Sequence, residues 1–242
     1  MGAALDFVEK AAIGKLVMRV SAIEGHRIWA SVYDSGPNPI LALERRVMRD
    51  LLEPLRPAKV LDVACGTGQW MVHFQHGGSE VFGCDACEEM LSEAMKTTSL
   101  RGRVVLADAE RVPFDTSTAD LVLCSVSLGY FHSIDRVFRE FARMAKPGGF
   151  IAVSDLHPDA LASGWTRSFK LGEQVYELEH YRRPIEEVNA AGRGAGLTPA
   201  FCREFAFDTP EFSIFQRAGK EDVFSWARRV PAVFIGLWAK PC

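Results

Sequence analysis

Three carboxylates sit at regular places along short apolar runs: Asp62 inside Val60–Val63, Asp85 closing Val81–Asp85, and Asp108 after Val104–Ala107. A turn of small residues, Ala64-Cys65-Gly66-Thr67-Gly68, follows the first run, and a helix-like segment, Gln69 to Gln75, follows the turn. Strand, glycine turn, helix is the arrangement by which an α/β sheet brings its main chain close to a nucleotide-like ligand. Glycine serves there because a Cβ blocks the approach or forbids the backbone angles. Asp85 comes about 20 residues after the turn, the interval at which an acid reaches ribose hydroxyls. A carboxylate can accept from both hydroxyls at once. The other reading of Asp85 by itself is a solvated acid at a strand end; the glycine turn at this interval favours the ribose.

The spacing Asp62-x-Ala64-x-Gly66-x-Gly68 differs from G-x-G-x-x-G, in which a third glycine lets the helix pack on the strand. Met71 stands at that third position. The segment resembles motif I of the class I S-adenosylmethionine-dependent methyltransferases, Asp/Glu-x-Gly-x-Gly-x-Gly, with Ala64 in place of the first glycine. Four further segments match that family in order. They are Asp85 followed by Met90-Leu91, Asp108-Ala109 followed by Pro113-Phe114, the strand Ala119–Ser125, and the turn Lys146-Pro147-Gly148-Gly149. The resemblance covers roughly residues 58 to 156 and is broadest with the ubiquinone-type, small-molecule group. It implies S-adenosyl-L-methionine as cofactor. Asp62, Ala64, Cys65, Gly66 and Gly68 would then lie along its methionine side, Asp85, Ala86 and Met90 at the ribose, Asp108 and Ala109 at the adenine, and Ser125 and Val126 at the near wall. It also implies that Tyr33, in a Val-Tyr-Asp segment, closes over the cofactor; a helix-packing tyrosine is the alternative.

A methyl sulfonium is already activated, so the protein must mainly align acceptor, methyl carbon and sulfur and exclude water, an orientation effect of roughly 7–11 kcal/mol. A hydroxyl, thiol or protonated amine acceptor also benefits from a base, by about 10²–10⁴-fold. His132, at the end of the loop Ser125–His132, is the first candidate, and His157, after the fifth strand, the second. The other reading of His132 is a helix N-terminal or loop histidine bonded to main chain. Trp29, Tyr130 and Trp165 are candidates for acceptor contacts; His26, His180 and the Arg182-Arg183 pair are weaker ones.

The composition bounds the rest. The chain has 242 residues, 48% apolar and 24% charged, with a formal net charge of −3. That balance argues against a sequence-independent grip on nucleic acid. Arg45, Arg46 and Arg49 alternate with Glu44, Asp50 and Glu53, which reads as a solvated helix face. No apolar run approaches the roughly 20 residues of a membrane helix, and Asp6, Glu9 and Lys10 interrupt any secretory pattern at the start. Cys65, Cys84 and Cys124 at strand ends read as small buried residues of a protein in a reducing compartment, hence cytoplasmic. Cys84-Asp85-Ala86-Cys87 lacks the second pair of a zinc site, so no metal is expected.

The positioning elements follow from periodicity. Helices are expected near Leu5–Val20, Ala22–Tyr33 and Pro39–Leu55, with Asn38 as N-cap and Pro39 first in the helix. Strands are expected near 59–64, 80–85, 103–107, 120–125 and 149–155, alternating with helices as in a parallel sheet. Beyond Asp155, Thr166–Leu171 and Gln174–His180 read as a hairpin around Gly172, followed by a helix over Pro184–Ala195. Strands near Pro199–Phe207 and Ala232–Ala239 flank two short helices. The fold expected is α/β: a Rossmann-like, seven-stranded, mostly parallel sheet with helices on both faces, an N-terminal helical extension and an inserted lid hairpin. Residues 1–57 form the helical cap, 58–156 the cofactor half, and 157–242 the lid insertion and last strands. The aromatics of the hairpin either line a lid or form a satellite core.

The function expected is methyl transfer from S-adenosylmethionine to a small-molecule acceptor at oxygen, nitrogen or sulfur in preference to carbon. Neither nucleic acid nor membrane is expected as a partner, and the sequence leaves the oligomeric state open. The rivals are a non-catalytic S-adenosylmethionine-binding module and a nicotinamide-dependent dehydrogenase; the latter is disfavoured by Met71.

Overall fold

A computed structural model describes residues 17–242. Seven strands form one sheet: β2 (Lys59–Val63), β3 (Glu80–Asp85), β4 (Val104–Leu106), β5 (Ala119–Cys124), β6 (Ala145–Leu156), β9 (Thr198–Phe205) and β10 (Val233–Ala239). Their order is β4-β3-β2-β5-β6-β10-β9. The first five are parallel, and β10 runs antiparallel to both β6 and β9. The Rossmann-like sheet expected from the sequence is therefore present, with its antiparallel edge.

Each strand alternates its side chains between two apolar layers, as the pleat requires. Leu121 and Leu123 of β5 join Ile235 and Leu237 of β10 on one face. That face is covered by α2 (Pro39–Leu52), α3 (Gln69–His76), α8 (Thr209–Arg217) and α9 (Glu221–Ala227), through residues such as Leu43, Phe74, Phe215 and Phe224. Val122 and Cys124 join Phe234 and Trp238 on the other face, beneath α5 (Ile134–Met144) and α7 (Ile185–Gly194). Asn38 caps α2 as expected: its side chain accepts from the Ile40 and Leu41 N–H groups, and Pro39 follows.

The start of the chain differs from expectation. The proposed helix Leu5–Val20 lies largely outside the described residues, and its last four residues form a strand, β1 (Val17–Val20). β1 pairs in parallel with β8 (Gln174–Leu178), which pairs with β7 (Ser168–Leu171) as the expected hairpin. Partner strands override the helical pattern here, because Val17 and Val20 suit a pleated edge and Val175–Leu178 offers the ladder. The small sheet packs on α1 (Ala22–Trp29) through its own cluster of Trp29, Phe169 and Leu178. A short helix, α6 (Pro158–Ala162), follows β6 and has no counterpart in the sequence reading. With α4 (Glu88–Ala94), the parallel strands end at Val63, Asp85, Leu106 and Cys124 along one edge, and the site lies there.

Candidate active site

A cavity of about 340 Å³ opens at that edge, between the strand ends and helices α1 and α2. Of the sequence-derived cofactor residues, Tyr33, Asp62, Ala64, Cys65, Gly66, Asp85, Ala86, Met90, Asp108, Ala109, Ser125 and Val126 line it. Gly68 does not. It caps α3 from the left-handed region at φ 78°, and a Cβ there would stand 2.5 Å from Leu100 Cδ1. Its role is to let the start of α3 pack against Leu100 and Ala94.

The turn after β2 is built for close approach. Ala64 itself takes φ 58° and Gly66 φ 54°, so Ala64 bears a left-handed conformation that glycine holds more cheaply. The Gly66 N–H donates to Asp85 Oδ2 at 2.8 Å, and the Cys87 N–H donates to Asp85 Oδ1 at 2.9 Å. Asp85 thus locks the glycine turn to the end of β3 while lining the cavity. Burial pushes its carboxyl up against these hydrogen bonds. Met71, where a dinucleotide fold has its third glycine, finds its room elsewhere: Gly83 on β3 lacks the Cβ that would meet Met71 Sδ at 2.6 Å.

Asp108 is exposed at the rim, and its Oδ1 accepts from the Glu110 N–H at 2.8 Å. On the opposite wall, Val126 stands at φ 50°, a strained position for a β-branched residue. Its N–H donates to the Ser154 carbonyl at 2.9 Å, which ties this kinked loop to β6.

One residue of the wall runs against the sequence reading. Glu44 does not belong to a solvated face; it is fully buried and lines the cavity. Its Oε1 accepts from Ser125 Oγ at 2.8 Å and Ser154 Oγ at 2.7 Å, and the Trp70 indole N–H donates to Ser125 Oγ at 3.2 Å. The signal was available: Glu44 lies four residues after Ile40 and four before Met48, both buried, hence on the apolar side of α2. Charge alternation masked it. Arg46 likewise pairs with buried Glu211, Nε to Oε1 at 2.8 Å, and is not a free surface cation.

The candidate bases separate. His132 is exposed and lines the cavity, and its carbonyl accepts from Arg183 Nη2 at 3.1 Å. His157 does not line the cavity. It is buried as the N-cap of α6, where Nδ1 accepts from the Asp159 N–H at 3.1 Å and Nε2 lies 3.3 Å from Glu204 Oε2. β6 runs on past the other strands to Leu156, which carries His157 away from the shared edge. His26, a weaker candidate from sequence, does line the cavity. Its Nδ1 lies 2.8 Å from the Ala22 carbonyl, so Nδ1 carries the proton and Nε2 the lone pair. Burial pushes its pKa down to about 4, so the ring is neutral at neutral pH.

The candidate acceptor contacts separate too. Tyr130 lines the cavity, whereas Trp29 lies behind it, stacked on Phe169 at 4.6 Å and edge-on to Tyr33 at 4.8 Å. Trp165 is remote from the cavity lining and stacks on Phe207 at 5.7 Å. No residue of the β7–β8 hairpin lines the cavity; the hairpin's aromatics form the satellite cluster, which backs Tyr33 and Tyr130. Arg183 is spent on main-chain carbonyls of Phe131 and His132 and on Glu187, so it is not held in reserve for an acidic ligand.

A buried polar chain missed in the sequence supports the loop that carries Tyr130. Arg167, 2% exposed, donates from Nε to Tyr130 Oη at 2.8 Å and lies over the Trp29 ring. Asp155 accepts from the Gly129 and Leu156 N–H groups and contacts His180 Nε2 at 3.2 Å. Burial works to raise the Asp155 carboxyl, but His180 and the two N–H groups outweigh it and hold the group below the usual carboxylate range. A carboxyl depressed on folding stabilises the fold above its unfolded value, about 3.9, and that stabilisation is lost as pH falls through the folded value. Denaturant titration of the protein and of Asp155→Asn from neutral to acid pH should therefore show a gap that closes as the pH drops. A constant gap would remove Asp155 from the linkage.

Residues 61–153 match a family model described as a methyltransferase domain. That stretch, less than half of the chain, is similar to a methyltransferase domain. S-adenosylmethionine is the cofactor such a domain takes. Two curated relatives are the bifunctional biotin biosynthesis protein BioHC of Cellvibrio japonicus, 31% identical over 66% of this chain, and the malonyl-[acyl-carrier protein] O-methyltransferase of Methylovorus sp., 32% identical over 54%. The chain matches 32% and 48% of their respective lengths, so it spans at most about half of each. Among solved structures, the S-adenosylmethionine-dependent methyltransferase of Mesorhizobium loti shares the fold with a TM-score of 0.62 at 19% identity, over 79% of this chain and 96% of that one.

Proposed function

We propose that the protein transfers the methyl group of S-adenosylmethionine to a small-molecule heteroatom. The observation that carries this reading is Asp85, which holds the glycine turn and the ribose-side main chain in one pair of hydrogen bonds within the cavity. The fit extends along the wall. Among the described residues, the acidic side chains of Glu44, Asp62, Asp85, Asp108 and Glu110 line the cavity against a single guanidinium, Arg45, which suits a ligand of net positive charge. Asp62 is 2% exposed and its Oδ1 has no hydrogen-bond partner. Such an oxygen calls for a donor from a ligand.

The cofactor would supply an activated methyl sulfonium. Asp85 would take the ribose hydroxyls and Asp108 the adenine edge, while the strained loop at Val126 sets the distance to the acceptor. His26, Tyr33, Tyr130 and His132 form the remaining wall, where an acceptor would sit. One of the relatives named above is a malonyl-[acyl-carrier protein] O-methyltransferase, which favours oxygen. His132 serves as base for an acceptor that must lose a proton, with His26 as a neutral hydrogen-bond acceptor on the same cavity wall.

Isothermal titration with S-adenosylmethionine and with NAD tests the cofactor; preference for NAD defeats the proposal. Release of S-adenosylhomocysteine with an acceptor panel tests catalysis, and cofactor binding without any release favours a non-catalytic module. His132→Ala should leave cofactor affinity unchanged and slow turnover about 10²-fold or more. Unchanged turnover would remove His132 from the chemistry. A cytoplasmic location fits the free thiols of Cys65, Cys84, Cys87 and Cys124, all buried. No described helix is long and apolar enough to cross a membrane.

A further inference from the structure

Two buried carboxylates face the same cavity, and each has an oxygen with nothing bonded to it. Glu44 is fully buried; Ser125 and Ser154 occupy its Oε1, and Oε2 has no partner. Asp62 Oδ1 is in the same state. The two come from different elements, α2 and β2, both ahead of the glycine turn in sequence. An unpaired buried carboxylate oxygen is costly, and two sharing one space repel each other. A cation with several N–H donors relieves both costs at once, whereas an anion adds to them.

We infer that Glu44 receives the primary ammonium group of the cofactor's amino-acid tail and shares it with Asp62. This rests on the S-adenosylmethionine reading above. Glu44 lies on the N-terminal helices, outside the strand motifs from which cofactor contacts are read. Buried Ser154 and half-buried Ser125 orient the carboxylate, so that Oε2 is left for the ligand.

The same geometry couples the tail to protons. The groups facing Glu44 are Ser154 from β6, Ser125 after β5, Trp70 from α3, Asp62 from β2, and Arg45 on its own helix; Arg46 is directed to Glu211. Burial raises the Glu44 carboxyl, and burial together with Asp85 and Glu44 raises that of Asp62 well above the usual range. A bound ammonium favours the ionised forms. Binding of the tail therefore releases protons, and affinity for tail-bearing ligands rises with pH until the free carboxyls have ionised.

The test uses two adenosyl thioethers: S-adenosylhomocysteine, which has the tail, and 5′-methylthioadenosine, which lacks it. Calorimetry in two buffers of different ionisation heat gives affinity and protons released. In the wild type, S-adenosylhomocysteine should release more protons than methylthioadenosine, because the two share the ribose at Asp85 and only the first carries the tail. Glu44→Gln should weaken S-adenosylhomocysteine about thirtyfold, leave methylthioadenosine unchanged, and reduce the protons released. Equal losses for both ligands, or an unchanged affinity and proton count for S-adenosylhomocysteine, would overturn the inference. The wild-type comparison needs no variant: equal proton release by the two ligands overturns it as well. Failure of the wild type to bind either ligand would instead bring down the cofactor reading, and this one with it.

Discussion

Asp85→Ala should reduce affinity for S-adenosylmethionine by at least about 100-fold. The loss has two sources. The cofactor loses its proposed ribose anchor, and the turn loses the acceptor for Gly66 N–H at 2.8 Å and Cys87 N–H at 2.9 Å. An orphaned buried N–H costs about 1–3 kcal/mol, so the ligand-free protein should also melt at lower temperature. Asp85→Asn separates the two effects. Its amide oxygen accepts from one of the N–H groups, so it should retain more stability than the alanine variant while still binding the cofactor poorly. Titration calorimetry and thermal melts of both variants check this. A wild-type affinity in Asp85→Ala would refute the assignment of the whole wall.

The second large effect is expected at Gly129, in the loop between β5 and α5. A Cβ there would come within 2.2 Å of His180 Cε1 and Nε2, and His180 is fixed by its contact with Asp155. Gly129→Ala must displace the ring or the loop, at about 1–3 kcal/mol. The loop carries Tyr130 and His132, so turnover should fall while cofactor affinity, set at β2 and β3, should hold. Denaturant midpoints and binding titrations read the two separately. Adding His180→Ala makes room for the new methyl group, so the double variant should be more stable than the sum of the two single losses. Simple additivity would show that the clash is absorbed elsewhere.

The cofactor half was legible in the sequence because each of its parts is local. Asp62, Asp85 and Asp108 sit in short apolar runs, and a strand followed by a glycine turn is written within a dozen residues. Met71 at the third-glycine position is visible in the sequence, whereas the room that Gly83 makes for it is visible only in the fold. The acceptor side was poorly legible because its contacts are long-range. Arg167 reaches Tyr130 across 37 positions, and Ser154 reaches Glu44 across 110. His157 misled because it follows a strand, as an active-site residue would; the strand overshoots the others before it ends. Val17–Val20 misled for a different reason: a four-residue strand has no periodicity of its own, and its partner lies far away in sequence.

The hydrophobic cluster of Trp29, Phe169 and Leu178 is separate from the two that clamp the seven-stranded sheet. Residues that back Tyr33 and Tyr130 can thus be exchanged without disturbing the packing that keeps Asp62, Asp85 and Ser125 in register. Mutational drift in that small cluster is cheap for the scaffold and reshapes the neighbouring wall, which makes it the natural starting point for a library selecting altered acceptor preference.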